Sequence, residues 1–322
     1  MKKGHLFFAI VLSLGVVVYV VLSLDWLDVS LTFQSLNRVT LLAAFAIYLI
    51  NYIFRTLRFK ILLDLEDVPF FQLLGVTNLY GMYLYLMPAK FGEVTFPLLL
   101  KRRLKVDIST STGVLVVARL FDFFSIAVIL ILVLFNYWEI IPGNMQILSI
   151  VFCGLVAVVF ILFLWMVRNP ARVKAVFERK EAARPIVQKT KDFVEGVYQG
   201  ARTVEANRRY TALVFLSLLI WFCVNSNFFL ITVSLGYSFN FFQIIVVSII
   251  MIPVTLFPIQ GFANIGAHEI GWITAFTLFD YPYQTALNIA ISSHIIYVMF
   301  VLLLGLIGVL LMVVRKPDTG LY

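Results

Sequence analysis

Apolar residues fall in long blocks, not at the alternating or three-to-four-residue spacing of half-buried strands and surface helices. Blocks at 4–24, 39–53, 112–135, 147–167, 210–235 and 285–314 are each long enough, or nearly so, to cross about 30 Å of hydrocarbon as a helix. The pattern predicts six spanning helices. Lys2 and Lys3 precede the first block as they would in a secretory leader. The block runs on for about twenty residues, however, and Ser23-Leu24-Asp25-Trp26 offers no small-residue cleavage site, so it reads as a retained helix.

Two further apolar stretches, 70–100 and 242–279, are interrupted. The first contains Pro88-Ala89-Lys90-Phe91-Gly92-Glu93; the second contains Pro258-Ile259-Gln260-Gly261-Phe262-Ala263-Asn264-Ile265-Gly266-Ala267-His268-Glu269. Each runs from proline through glycine to a charged residue. Helix breakers and carboxylates are unfavourable in hydrocarbon, so their recurrence in corresponding halves points to a transport site built from broken helices.

Charge distribution sharpens the topology. With the N-terminus cytoplasmic and each interrupted stretch entering and leaving by a single face, all but three of the 25 Lys and Arg lie on the cytoplasmic side. Arg38 lies outside, and Lys90 and Arg119 lie within the membrane. Asp25, Asp28, Glu139 and Asp280 fall in outer loops. This follows the positive-inside rule. Stretch 70–100 has Arg55, Arg58 and Lys60 before it and Lys101, Arg102, Arg103 and Lys105 after it, so both of its ends belong on the cytoplasmic side. Stretch 242–279 dips from the outside. The expected architecture is an all-α polytopic membrane protein of six spanning helices and two re-entrant helical hairpins. They form an inverted repeat within one membrane domain: helix 39–63, hairpin 70–100 and helix 112–136 against helix 210–235, hairpin 242–279 and helix 283–314. Both termini are expected in the cytoplasm, in the inner cell membrane. The competing reading is two unrelated kinked segments.

Residues 168–209 form the one extended polar stretch. Val187, Val194, Val197, Ala201 and Val204 recur at helical spacing beside many basic residues. This suits an interfacial helix on an anionic leaflet, or a solvated connector that only enforces topology.

Ionisable residues at membrane depth are the site candidates. Lys90 and the amides after Pro88 suit an anion at a half-helix N-terminus. Glu93 is then a counter-charge or proton carrier, unless it merely pairs with Lys90. His268 and Glu269, following Asn264 and Gly266, combine a near-neutral titrating ring with a carboxylate; alternatively Glu269 only caps a half-helix. Arg119 and Asp122 share a face at i,i+3, either as a neutralising pair or with Arg119 free for a headgroup. Arg55 and Arg58 either snorkel to the interface or receive a lipid phosphate. His294, with Asn288 and Ser292 nearby, reads as a packing histidine. Asn225, Ser226 and Asn227 serve as interhelical glue or site lining. Cys153 and Cys223 sit in predicted spans as small packing residues.

Composition agrees. The chain is 62% hydrophobic and 13% charged, against about half and a quarter in soluble domains. There is no phosphate-binding Walker loop and no dinucleotide fingerprint, no Ser-His-Asp signal, and three histidines in all. No cofactor, metal or nucleic acid is expected, since topology accounts for the net charge of +8.

Phe54-Arg55-Thr56-Leu57-Arg58-Phe59, Leu86-Met87-Pro88-Ala89-Lys90-Phe91-Gly92-Glu93, Val117-Ala118-Arg119-Leu120-Phe121-Asp122 and the stretch from Pro258 to Glu269, in that order, resemble the flippase-like membrane domain of lysylphosphatidylglycerol synthases and its stand-alone relatives. The resemblance implies movement of aminoacylated phospholipids or polyprenyl-phosphate-type lipids between leaflets. It also implies that a chain ending at Tyr322 without the synthase domain performs no covalent chemistry. Phe96, Ala118 and His268 stand where relatives commonly carry an Arg, an acid and an Arg. Two other classes stay open: a secondary transporter or channel for a small soluble anion, and a membrane partner that recruits a lipid-modifying enzyme through 168–209. On the lipid reading, Arg55, Arg58, Lys90, Arg119 and Asn264 bind substrate, while Glu93, Asp122, His268 and Glu269 gate or couple protons. Expected partners are membrane lipids and a separate lipid-modifying enzyme. Homo-oligomers stay open too, because lipid-facing and protomer-facing helix surfaces share one composition.

Overall fold

The computed structural model describes residues 26–65, 67–88, 91–139, 141, 143–169, 198, 209–256 and 261–314. The first apolar block, Lys90, residues 258–260 and most of the basic segment therefore lie outside the described residues. Among the described residues there are ten α-helices and no strands: α1 Trp26–Gln34, α2 Arg38–Leu63, α3 Phe70–Leu86, α4 Gly92–Leu104, α5 Ile108–Tyr137, α6 Gly143–Arg168, α7 Tyr210–Ser234, α8 Phe241–Leu256, α9 Ala267–Thr277 and α10 Tyr283–Val314.

Five of these, α2, α5, α6, α7 and α10, are long and apolar enough to cross a membrane. They coincide with five of the six expected spans. Polar side chains fix their starts. Asn37 Oδ1 accepts from Thr40 N at 3.1 Å ahead of α2, and Asp107 Oδ2 accepts from Ser109 N at 2.8 Å ahead of α5. Each satisfies a backbone donor that the first helical turn leaves without an intrahelical partner. Helix α1 occupies a stretch read from the sequence as outer loop. Asn288 Nδ2 on α10 donates to its Thr32 Oγ1 at 3.1 Å.

Both interrupted stretches are helix–break–helix. The 17 residues of α3 and the 13 of α4, like the 16 of α8 and the 11 of α9, fall short of the roughly 20 a span requires. The chain turns so tightly after α3 that a Cβ on Gly92 would collide with the backbone of Tyr83 and Leu84. Helix α8 opens with reciprocal capping. Asn240 Oδ1 accepts from Phe242 N at 3.1 Å, and Gln243 Oε1 accepts from Asn240 N at 2.9 Å. This is the logic of a capping box with asparagine at the cap. Helices α8 and α9 pack on each other, and α9 on α10.

The chain divides into two compact units that do not coincide with the two repeats. The first comprises Met1–Tyr52, Thr77–Thr95 and Phe222–Val314. Its core has two apolar clusters. One joins Phe239, Ile244 and Val247 to Trp272, Phe276 and Ile289. The other joins Ala44 and Tyr48 to Ile231, Leu235, Ile296 and Phe300. Asn227 Nδ2 on α7 donates to the Ala44 carbonyl of α2 at 2.8 Å, as expected of interhelical glue.

The second unit comprises Ile53–Val76, Phe96–Trp221 and Arg315–Tyr322. Phe59 packs tilted against Phe96, ring centroids 4.3 Å apart. Helix α6 packs on α5 through Phe160 against Phe121 and Phe124. Its other side, with Leu148, Val151, Leu155, Val158 and Leu162, is exposed, as a lipid-facing span should be. Cys153 and Cys223 are free thiols.

Candidate functional site

In the first unit, polar groups gather where α9 begins. The turn before it takes backbone conformations that side chains disfavour: Ala263 (φ 53), Asn264 (φ 61) and Gly266 (φ 88) are all left-handed. Each such non-glycine residue is strained by roughly 1–2 kcal/mol unless its surroundings hold it. Two side chains hold this turn. Glu269, in the first turn of α9, accepts from Gly266 N at 2.7 Å through Oε2. His294, on α10, places Nε2 at 2.8 Å from the Ala263 carbonyl oxygen. The two holders also bind each other, His294 Nδ1 to Glu269 Oε1. The His268 ring stacks on His294, centroids 4.5 Å apart, and on Trp272, at 5.1 Å. His268 Nε2 lies 3.3 Å from Ser293 Oγ. Tyr85 stands edge-on to His294. His268, Glu269 and His294 are all buried.

Sequence reasoning identified Glu269 and its neighbour and missed the partner. His294 reads as a packing histidine because it stands alone, without a charged neighbour, on an otherwise apolar helix. It is indeed satisfied, but by the carboxylate on α9 and by the turn ahead of it. The capping role weighed for Glu269 is also real, through one carboxylate oxygen; the other oxygen is committed to His294.

In the second unit, three apolar helices share a charged cluster. Arg58, 1% exposed, donates from Nη1 to Asp122 Oδ1 at 2.6 Å and from Nη2 to Oδ2 at 3.3 Å. This is the forked geometry that makes arginine–carboxylate pairs strong and directional. Nη1 also donates to Ser217 Oγ at 3.0 Å, and Trp221 Nε1 donates to Asp122 Oδ1 at 3.2 Å. Arg119 Nη1 lies 3.5 Å from Asp122 Oδ2, with its side chain 31% exposed. Two guanidiniums thus face one carboxylate inside apolar helices.

This revises the expectations for two residues. Arg58 does not snorkel: the pairing partner that lets it stay buried is Asp122 on α5. Asp122 in turn answers Arg58 first and Arg119 second, so it anchors guanidiniums; the i,i+3 pair foreseen from the sequence is present but secondary. Arg55 lies half-buried one turn before Arg58 on α2, and Glu93 lies half-buried in the first turn of α4. There an acidic side chain complements the helix dipole. Asn264 sits in the strained turn. Lys90 lies outside the described residues. The structure thus brings Arg58, Arg119 and Asp122 together, and separately His268 and Glu269. Ser217, Trp221 and His294 join these groups without any local sequence signal. Among the described residues no group of three or more His, Cys, Asp or Glu is arranged to hold a metal.

The model of one protein family, the lysylphosphatidylglycerol synthase TM region, matches residues 6–305. No curated protein and no solved structure matches the chain. The chain belongs to that family, and with five helices among the described residues long and apolar enough to span, it is a multi-pass membrane protein.

Proposed function

We propose that this member of the lysylphosphatidylglycerol synthase TM family moves an anionic or aminoacylated phospholipid, or a polyprenyl-phosphate-type lipid, between leaflets, without covalent chemistry. One observation carries the reading: two arginines meet one carboxylate on helices apolar enough to span. Charge that hydrocarbon penalises is kept for function, and a partly exposed guanidinium is suited to phosphate. Arg119, the more exposed of the two, presents to the phosphate. Arg58 and Asp122 orient it and keep the rest of the cluster neutral. Arg55, one turn before Arg58 on α2, supplies further positive charge. Glu93, His268 and Glu269 gate the movement or couple it to protons.

The two short-helix pairs are re-entrant hairpins of an inverted repeat in the inner cell membrane, with cytoplasmic termini. Short helices joined by breaks, and the clustering of basic residues before and after the first pair, support this.

The test uses liposomes carrying a fluorescent anionic phospholipid, with dithionite quenching of the outer leaflet. The protein should make the inner pool reachable. Arg119→Ala should slow exchange by about tenfold or more, the loss of a charge-assisted hydrogen bond of roughly 1.5–3 kcal/mol. Glu269→Gln should slow it without lowering the amount of folded protein. Exchange at wild-type rate in both variants would overturn the assignment. Uptake of soluble phosphate without lipid exchange would move the function to the soluble-anion class.

A further inference from the structure

His294 and Glu269 constrain each other's protonation through what surrounds them. The Ala263 carbonyl oxygen only accepts hydrogen bonds, so the nearby Nε2 of His294 carries a hydrogen. Nδ1, facing Glu269 Oε1, then has two possibilities. The ring is an imidazolium against a carboxylate, or the ring is neutral and the carboxyl group donates to it. Both forms contain the same number of protons and have zero net charge. The pair as built therefore holds one proton between Nδ1 and Oε1. The other carboxylate oxygen is occupied by Gly266 N.

Loss of that proton leaves a buried negative charge and a neutral ring with one N–H. That hydrogen goes to the stronger, charge-assisted bond, on Nδ1 against the carboxylate. Nε2 then turns a lone pair to the Ala263 oxygen, and two acceptors face each other. The bond that holds the left-handed Ala263–Asn264 turn is lost.

We infer that Glu269 and His294 form a single-proton site whose occupancy locks the turn ahead of α9, through the tautomer of His294. The inference rests on the assignment of proton coupling to Glu269, but not on the identity of the transported lipid. The titratable groups facing the pair are His268, stacked on His294 from α9, and Tyr85, edge-on from α3. Tyr297 on α10 packs against Tyr85 behind it, and Tyr48 on α2 packs against Tyr297. His268 has its own partner in Ser293 and acts as a stacking wall, so it is a positioning residue for His294.

Phe262, 59% exposed beside the turn, gives a reporter position. A spin label on Phe262→Cys, with Cys153 and Cys223 replaced, reads local backbone mobility in the full-length protein. Mobility should be low in acid and rise in one single-proton step as the pH is raised. Glu269→Gln keeps a donor toward Nδ1, so its spectrum should stay immobile across the whole range. His294→Gln should be mobile throughout. A wild-type spectrum that does not change with pH, or an unchanged step in Glu269→Gln, would overturn the inference. If Glu269→Gln fails to fold, the ring-nitrogen shifts of His294 in 15N-histidine protein decide on the wild type. Nε2 should be protonated below the step, and Nδ1 alone above it; a ring that keeps its Nε2 hydrogen above the step overturns the inference as well. The label reports on the turn whether or not lipid moves, so failure here and failure of the lipid reading are separate results.

Discussion

Removing Arg58 and removing Asp122 should not be equivalent. Breaking a buried ion pair from one side strands a charge, at a cost of about 3–5 kcal/mol. After Arg58→Ala, Asp122 keeps Arg119 at 3.5 Å and the Trp221 indole at 3.2 Å. After Asp122→Asn, the fully buried Arg58 loses its carboxylate and keeps only neutral acceptors such as Ser217 Oγ. Asp122→Asn should therefore lower the thermal unfolding temperature in detergent more than Arg58→Ala does. The reverse order would mean that Asp122 is held by something other than the two arginines. This asymmetry was not legible in the sequence. Arg119 and Asp122 declare themselves because a helix places i and i+3 on one face. Arg58 is 64 positions from Asp122, and only tertiary packing makes them partners. The same holds for His294: nothing within its own helix points to a carboxylate 25 positions earlier.

At the scale of elements, hydropathy alone ends the second block at 53, but the repeat read from the sequence carries this helix to 63, and α2 runs to Leu63; Arg58 stays buried in that last part because Asp122 supplies its counter-charge. Helix α1 escaped notice for a different reason. It has nine residues, with Asp28 and Ser30 among them, and too few turns to show a period. The helix breaks, by contrast, were readable, since proline and glycine act locally. Their contribution can be graded by substitution. Gly92→Ala places a methyl group against the backbone of Tyr83 and Leu84, which cannot yield as a side chain would. It should cost several kcal/mol or prevent insertion, in line with overpacking and backbone displacement. Gly154→Ala on α6 meets nothing within 4 Å and exchanges a poor helix former for the best one. Its unfolding temperature should equal or exceed that of wild type. Equal tolerance of the two changes would show that the turn after α3 is not the tight one described.

For the whole molecule, block hydropathy and the asymmetry of basic residues carry the topological argument, and one measurement separates its two versions. Single cysteines are placed at Asp67, Val106, Ser238 and Pro282, on a background without Cys153 and Cys223. These positions lie between α2 and α3, α4 and α5, α7 and α8, and α9 and α10. If α3–α4 and α8–α9 each enter and leave by one face, the first two positions share a side and so do the last two. The basic residues before and after α3–α4 assign the first two to the cytoplasm; α5 and α6 then cross, and so does α7, which sends the last two outside. An impermeant maleimide added to intact cells should label positions 238 and 282 at once, and positions 67 and 106 only after permeabilisation. A pair split between the two conditions would turn that short-helix pair into a full crossing. The inverted repeat would fall with it, because a crossing in one half reverses the orientation of every helix that follows.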